Sequence, residues 1–149
     1  MELMLQKFKT ILAKQKESTY VSPFFFLVLF FSLIFTDQFT KNFDWFGIKV
    51  FRNYFFAFSL PVPVFLMYFI YAVVLVGIFG YFKNYFVKIP LIQKIAWVLI
   101  LAGGLSNIVE RVIFGYVVDW VYLFNGVFNL ADFYIIAGIL LLLISDKKI

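Results

Sequence analysis

The sequence predicts an all-α membrane protein with four transmembrane helices and both termini on the cytoplasmic side. Three observations lead there. First, 64% of the 149 residues are hydrophobic and 14% are charged, with a mean hydropathy of +0.99. A soluble domain runs about 45–50% apolar and about 25% charged, and a chain this short has too little interior to hide the excess from water. Second, the apolar residues gather in four segments, each near the roughly 20 residues that cross hydrocarbon as a helix. Third, the basic residues divide unevenly between the two ends of those segments. One integral membrane domain over residues 1–149 follows, and disorder or a soluble nucleic-acid binder is excluded.

The first span covers about 20–36 and closes at Asp37. Ahead of it lies a basic cytoplasmic segment, residues 1–19, in which Met4, Phe8 and Ile11 share one face of a short interfacial helix or a basic tail. No small-x-small cleavage pattern follows the first span, so it reads as retained rather than as a removed signal peptide. The second span covers about 62–82, after the turn-forming Pro61-Val62-Pro63. The third covers about 91–109 and the fourth about 127–144. With the N-terminus inside, Lys7, Lys9, Lys14, Lys16, Lys83, Lys88, Lys94, Lys147 and Lys148 lie on the cytoplasmic side. Lys41, Lys49, Arg52 and Arg111 lie outside. That asymmetry orients the bundle N-in and C-in. It also accounts for the formal net charge of +5 without an anionic partner.

The missing residue types narrow the chemistry. The chain has no Cys and no His, so thiolate catalysis, Ser-His-Asp triads and the usual zinc ligands are unavailable. Polar residues at membrane depth are then the informative ones. Asp132 falls about five residues into the fourth span, and Asp119 precedes it in the outer connection after the third. Asp37, Asn53, Asn107, Glu110, Arg111 and Asn129 map to the same outer side. Two carboxylates meeting in a half-dry site share a proton. The ionised member can take a proton from water while the neutral one polarises a carbonyl, and amide hydrolysis needs little else. On spacing alone, three alternatives stay open: a helix–helix hydrogen bond, an ion pair of Asp132 with Arg111, and an ion pathway. A Ser-Lys scheme lacks a close pair, since Ser106 and Lys94 stand about 18 Å apart along one continuous helix. Gly103-Gly104 within the third span reads as a site of close helix packing.

Four blocks give these residues a family context. They are Asp37-Gln38-Phe39-Thr40-Lys41; Asn53 with Ala57-Phe58-Ser59; Ala102 to Arg111 (AGGLSNIVER) continued by Gly115 to Trp120 (GYVVDW); and Phe128-Asn129-Leu130-Ala131-Asp132. In that order and at that spacing the chain resembles the lipoprotein signal peptidases (signal peptidase II), bacterial membrane aspartic proteases. The resemblance spans about residues 20–145. It implies that Asp119 and Asp132 are the catalytic pair, and that Asn53, Asn107, Arg111 and Asn129 bind substrate backbone and carbonyls. Asp37, Lys41, Ala131 and Glu110 are implied as supporting residues, with capping and ion pairing by Asp37 and Lys41 an equal alternative. It further implies a small extracytoplasmic β-cradle with a short helix between helices 1 and 2, to which residues 45–52 (WFGIKVFR) fit as a strand.

The implied activity is endoproteolysis of a diacylglyceryl-modified prolipoprotein, just before the lipidated Cys of its lipobox. The partners would be that substrate and membrane lipid, with no nucleic acid, metal or organic cofactor, and the enzyme a monomer. Its place would be the bacterial cytoplasmic (inner) membrane, multi-pass, with the active site at the extracytoplasmic face. Three positions depart from the family pattern. Phe55 stands at a usual Gly with Phe56 beside it, Glu110 at a usual Asp, and Ser106 at a usual Gly. Phe55 keeps open a rival reading, an inactive homologue that binds lipidated signal peptides. A small proton-coupled transporter using the two aspartates is a second rival.

Overall fold

The computed structural model describes residues 21–42, 47–55, 61–85 and 89–146. The basic segment 1–19 and the block Ala57-Phe58-Ser59 lie outside them. Four helices form the body: α1 (Pro23–Thr40), α2 (Val64–Tyr85), α3 (Leu91–Phe114) and α4 (Leu130–Asp146). Two of them, α1 and α3, are long and apolar enough to cross a membrane. The apolar stretches of the other two are shorter.

Each boundary has a local cause. Helix α1 starts where the Ser22 hydroxyl accepts a bond from the Phe24 amide, with Pro23 in the first turn where its missing N–H costs nothing. It runs on to Thr40 rather than stopping at Asp37, because the Asp37 side chain is satisfied by other elements and does not compete with the helix backbone. Helix α3 continues five residues beyond the expected Val109, to Phe114. It stops at Gly115, whose left-handed backbone (φ 77°) only glycine adopts without steric cost. Helix α4 begins at Leu130 instead of Val127. Phe24, Leu27, Phe31 and Phe35 recur at helical spacing and are exposed, giving α1 a continuous apolar outer face.

The core is the antiparallel pair α3–α4, with α1 laid against α3. Small residues make the approach close: Ala96, Ala102 and Ala131 are fully buried. A Cβ on Gly138 would come within 2.6 Å of the Ala96 carbonyl, and one on Gly103 would collide with the Ala131 carbonyl. Gly103 therefore packs as the sequence suggests, whereas Gly104 has open space above it. Gly103→Ala must push α4 away at the turn below Asn107. We expect it to destabilise the fold by about 1–3 kcal/mol, read as a lower melting temperature in detergent. An unchanged melting temperature would show that the helix pair has slack.

The β-structure expected beside the helices is present but differently composed. Four short strands accompany the helices: β1 (Phe51–Asn53), β2 (Val117–Asp119), β3 (Val121–Leu123) and β4 (Gly126–Phe128). β1 pairs antiparallel with β2 in the register Phe51↔Asp119, Arg52↔Val118 and Asn53↔Val117. β3 and β4 form a hairpin closed by Phe124-Asn125. The cradle expected between helices 1 and 2 thus draws one strand from that loop and three from the connection between helices 3 and 4. The expected strand at 45–52 is displaced as well: residues 48–50 belong to no strand, and pairing starts at Phe51. The short helix expected in that loop is absent from its described residues.

Candidate active site

Strand register puts the first carboxylate in place. Phe51, Asn53, Val117 and Asp119 point to one face of the β1–β2 ribbon, because side chains alternate along a strand and paired residues share a face. Asn53 Nδ2 reaches diagonally across to donate to Asp119 Oδ2 at 3.0 Å. Arg52 and Val118 face the other way. Asp119 is 1% exposed. Burial pushes its carboxyl up to about 6, against the hydrogen bonds from Asn53 and Asn129 and with the nearby Asp132 charge adding to the rise.

Helix α4 supplies the second carboxylate through its N-terminal cap. Asn129 Oδ1 accepts from the Asp132 amide at 3.0 Å, and Asp132 Oδ2 accepts from the Asn129 amide at 3.2 Å. This reciprocal pair is a capping box with Asn at the N-cap and Asp at N3. The Phe-Asn-x-Ala-Asp block is therefore a helix start, and the cap fixes the Asp132 carboxylate at the third position of α4. Asn129 also ties the two acids together, since its Nδ2 donates to Asp119 Oδ1 at 2.6 Å and to Asn107 Oδ1 at 3.2 Å. Asn107 Nδ2 in turn donates to Asp132 Oδ1 at 3.0 Å.

Arg111 closes the constellation from α3, one turn beyond Asn107. Its Nη2 donates to the Phe55 carbonyl at 2.9 Å and its Nη1 to the Asn107 carbonyl at 3.4 Å. The Phe55 amide donates to Asn53 Oδ1 at 3.0 Å. The hydrogen bonds thus run in a ring: Asp119, Asn53, Phe55, Arg111, Asn107, Asn129 and back to Asp119. Within it Phe55 serves through its backbone. Its ring is 48% exposed, and its φ is not in the positive range that demands glycine. Arg111 Nε is buried and has no hydrogen-bond partner among the described residues.

A second, buried cluster stands behind this ring. Asp37 Oδ1 accepts from the Ala131 amide at 2.8 Å, in the first turn of α4. Its Oδ2 accepts from Ser106 Oγ at 2.6 Å and pairs with Lys41 Nζ at 2.8 Å. Lys41 Nζ also pairs with Glu110 Oε2 at 2.5 Å and donates to Asn107 Oδ1 at 3.0 Å. The sequence-predicted supporting residues Asp37, Lys41, Glu110 and Ala131 all meet here. Ser106, Gln38 and Tyr68 were not foreseen. Gln38 Nε2 donates to Ser106 Oγ at 2.8 Å, and Tyr68 Oη donates to the Arg111 carbonyl at 2.9 Å. A polar residue facing inward on an apolar helix was the available signal for each. Ion pairs among the described residues centre on Lys41. The ion pair of Asp132 with Arg111 considered from sequence does not form among the described residues, where the two guanidinium Nη atoms go to carbonyls instead.

Asp119 and Asp132 line one cavity of about 90 Å³, with Asn53, Asn107, Arg111 and Asn129 in its wall. That volume holds a water molecule beside a reacting group. It adjoins an apolar groove of about 240 Å³ lined by Ile70, Tyr71 and Val74 of α2 and by Ile100 and Gly104 of α3. Cavity and groove share Asn107, Arg111, Asp132 and Ile135.

The family model described as signal peptidase (SPase) II matches residues 25–146. The chain belongs to this family. The lipoprotein signal peptidase of Streptococcus thermophilus is 34% identical over 104 residues, covering 66% of this chain and 67% of the relative. That of Fusobacterium nucleatum is 34% identical over 80 residues, covering 51% and 48%. Two solved structures, each described as a bacterial membrane enzyme, share the fold at 23% identity with TM-scores of 0.71 and 0.69. They cover 85% of this chain, and 89% and 94% of their own. A signal peptidase II is a protease.

Proposed function

We propose that this protein is an aspartic endopeptidase that removes the signal peptide from diacylglyceryl-modified prolipoproteins, cutting just before the lipidated Cys. One observation carries the reading: two carboxylates share a small cavity that adjoins an apolar groove. The groove suits an apolar signal helix, and the cavity suits one peptide bond and one water. In this reading all four helices span the bacterial cytoplasmic membrane, N-in and C-in, and the site faces outward. A single chain supplies every group required.

The acyl chains of the substrate stay in the bilayer, which sets the depth of the bond to be cut. Fixing the reactants in this way supplies much of the rate by removing translational freedom. Arg111 and the Asn53 and Asn107 amides hold carbonyls on either side. The ionised aspartate takes a proton from water as its oxygen attacks the scissile carbonyl carbon, while the neutral one gives its proton to the carbonyl oxygen. Collapse of the resulting diol breaks the C–N bond. The acid that gained the water's proton delivers it to the leaving amine. The other, now ionised, takes a proton from one diol hydroxyl as the new C=O forms, and the pair is back in its singly protonated state.

The test is cleavage of a diacylglyceryl-modified precursor by the purified protein in detergent, with the unlipidated precursor as control. Lipid-dependent cleavage before the Cys is the expected outcome. A folded protein that binds the precursor without cutting it would be an inactive homologue. Substrate flux in liposomes without cleavage would make the acids an ion site.

A further inference from the structure

The two carboxylates sit in unlike surroundings. Asp132 lies in the first turn of α4, where the helix dipole favours a negative charge, and it accepts a backbone N–H as well as the Asn107 amide. Asp119 lies on a strand and accepts from two neutral side-chain amides, those of Asn53 and Asn129. Between the dyad and the rear cluster stands Asn107, whose amide has a forced orientation. Its Oδ1 accepts from Lys41 Nζ at 3.0 Å and from Asn129 Nδ2 at 3.2 Å. An ammonium has no lone pair to offer, so the NH₂ end of Asn107 must face away from Lys41, and it faces Asp132.

We propose that Lys41, acting through Asn107, is a positioning residue that keeps Asp132 the ionised member of the pair and leaves the shared proton on Asp119. This rests on the aspartic reading above and assigns its roles: Asp132 takes the proton from water, and Asp119 protonates the carbonyl. Lys41 is itself buried, in contact with the Asp37 and Glu110 carboxylates and the Asn107 amide, and the charged or polar groups around it come from several elements. Asp37 comes from α1; Asn107, Glu110 and Arg111 come from α3; Asp119 comes from β2 and Asp132 from α4. Arg52 of β1 lines the chamber that Lys41 shares with Glu110, and Tyr71 of α2 faces Arg111 and Asp132 from the groove side. Removing the ammonium strips Asp132 of the cationic support that reaches it through Asn107 and leaves the charges of Asp37 and Glu110 uncompensated. Both effects oppose ionisation of Asp132.

Two measurements test this. In the pH profile of kcat/KM, Lys41→Met is expected to move the acidic limb up by at least about one pH unit. KM for the lipidated precursor should stay within about twofold, and Lys41→Arg should return the limb towards the wild-type position. A uniform fall in kcat/KM with the limb in place would reduce Lys41 to a structural prop and overturn the proposal. The second measurement needs no turnover. In infrared spectra at about pH 5, one unit below the value to which burial carries Asp119, the carbonyl stretch of the protonated acid should vanish in Asp119→Asn and persist in Asp132→Asn. The reverse pattern would place the proton on Asp132 and overturn the assignment. Failure of the aspartic reading shows separately, as full cleavage by both Asn variants.

Discussion

Asp119→Asn and Asp132→Asn should each lower kcat for the lipidated precursor by at least about a thousandfold. Each takes away the proton donor or acceptor of a step that general acid–base catalysis accelerates by roughly 10²–10⁴, and neither leaves a group that can substitute. The geometry makes these substitutions more than a change of charge. Both Asp119 oxygens accept from amide NH₂ groups, and both Asp132 oxygens accept from N–H donors. A carboxamide in either place turns one acceptor into a donor aimed at another donor. That mismatch costs about 1–3 kcal/mol, so the melting temperature should fall modestly while precursor binding through the groove survives. Because the pair works as a unit, the double variant should be little worse than either single one. Residual cleavage above about a tenth of wild type in either variant would remove the dyad from the mechanism.

The same geometry bears on whether the Phe55 departure silences the site. What the ring of hydrogen bonds asks of this position is an amide for Asn53 and a carbonyl for Arg111. Phenylalanine supplies both as well as glycine does, and its side chain turns half outward. Glu110 is similarly absorbed. Its longer reach ends on Lys41, in the rear cluster. Neither departure touches a carboxylate of the dyad, which favours an active enzyme over a binding-only homologue.

Much of this site is legible in the sequence, because its polar residues stand out against an apolar chain. Asp119, Asp132, Asn53, Asn107, Arg111 and Asn129 were all named, and the structure brings all six to one cavity. The helices were legible to within a few residues for the same reason. The strands were not. Residues 117–128 are apolar almost throughout, so the alternation that marks a half-buried strand is drowned, and the Asn125-Gly126 turn signal was the one clue to the hairpin. The capping box was legible in principle, as Asn129 followed three residues later by Asp132 ahead of an apolar run. What no local pattern could show is where Asp37 goes. Its partners Ser106 and Ala131 lie 69 and 94 residues away along the chain, and only the packing of three helices brings them to one carboxylate.

That carboxylate carries the largest stability effect expected of any single residue here. Asp37 is fully buried and accepts from the Ala131 amide, the Ser106 hydroxyl and the Lys41 ammonium. It thus caps α4 from a different helix and helps to neutralise a buried cation. Asp37→Ala leaves an orphan N–H at the start of α4 and a lysine with one acidic partner instead of two. Breaking a buried pair from one side costs about 3–5 kcal/mol, which for a chain of this size lowers the melting temperature by roughly 6–20 °C. Asp37→Asn should fall between this variant and wild type, since it keeps an acceptor for Ala131 but loses the charge that Lys41 needs. Ser106→Ala should cost about 1 kcal/mol, the value of one buried hydrogen bond. Asp37 packs against the residue before Asp132, so Asp37→Ala should lose activity along with stability. Recovery of cleavage on cooling the variant below its own melting transition would separate a capping role from a catalytic one. A melting temperature within about 2 °C of wild type would mean that α4 is held at this end by something other than Asp37.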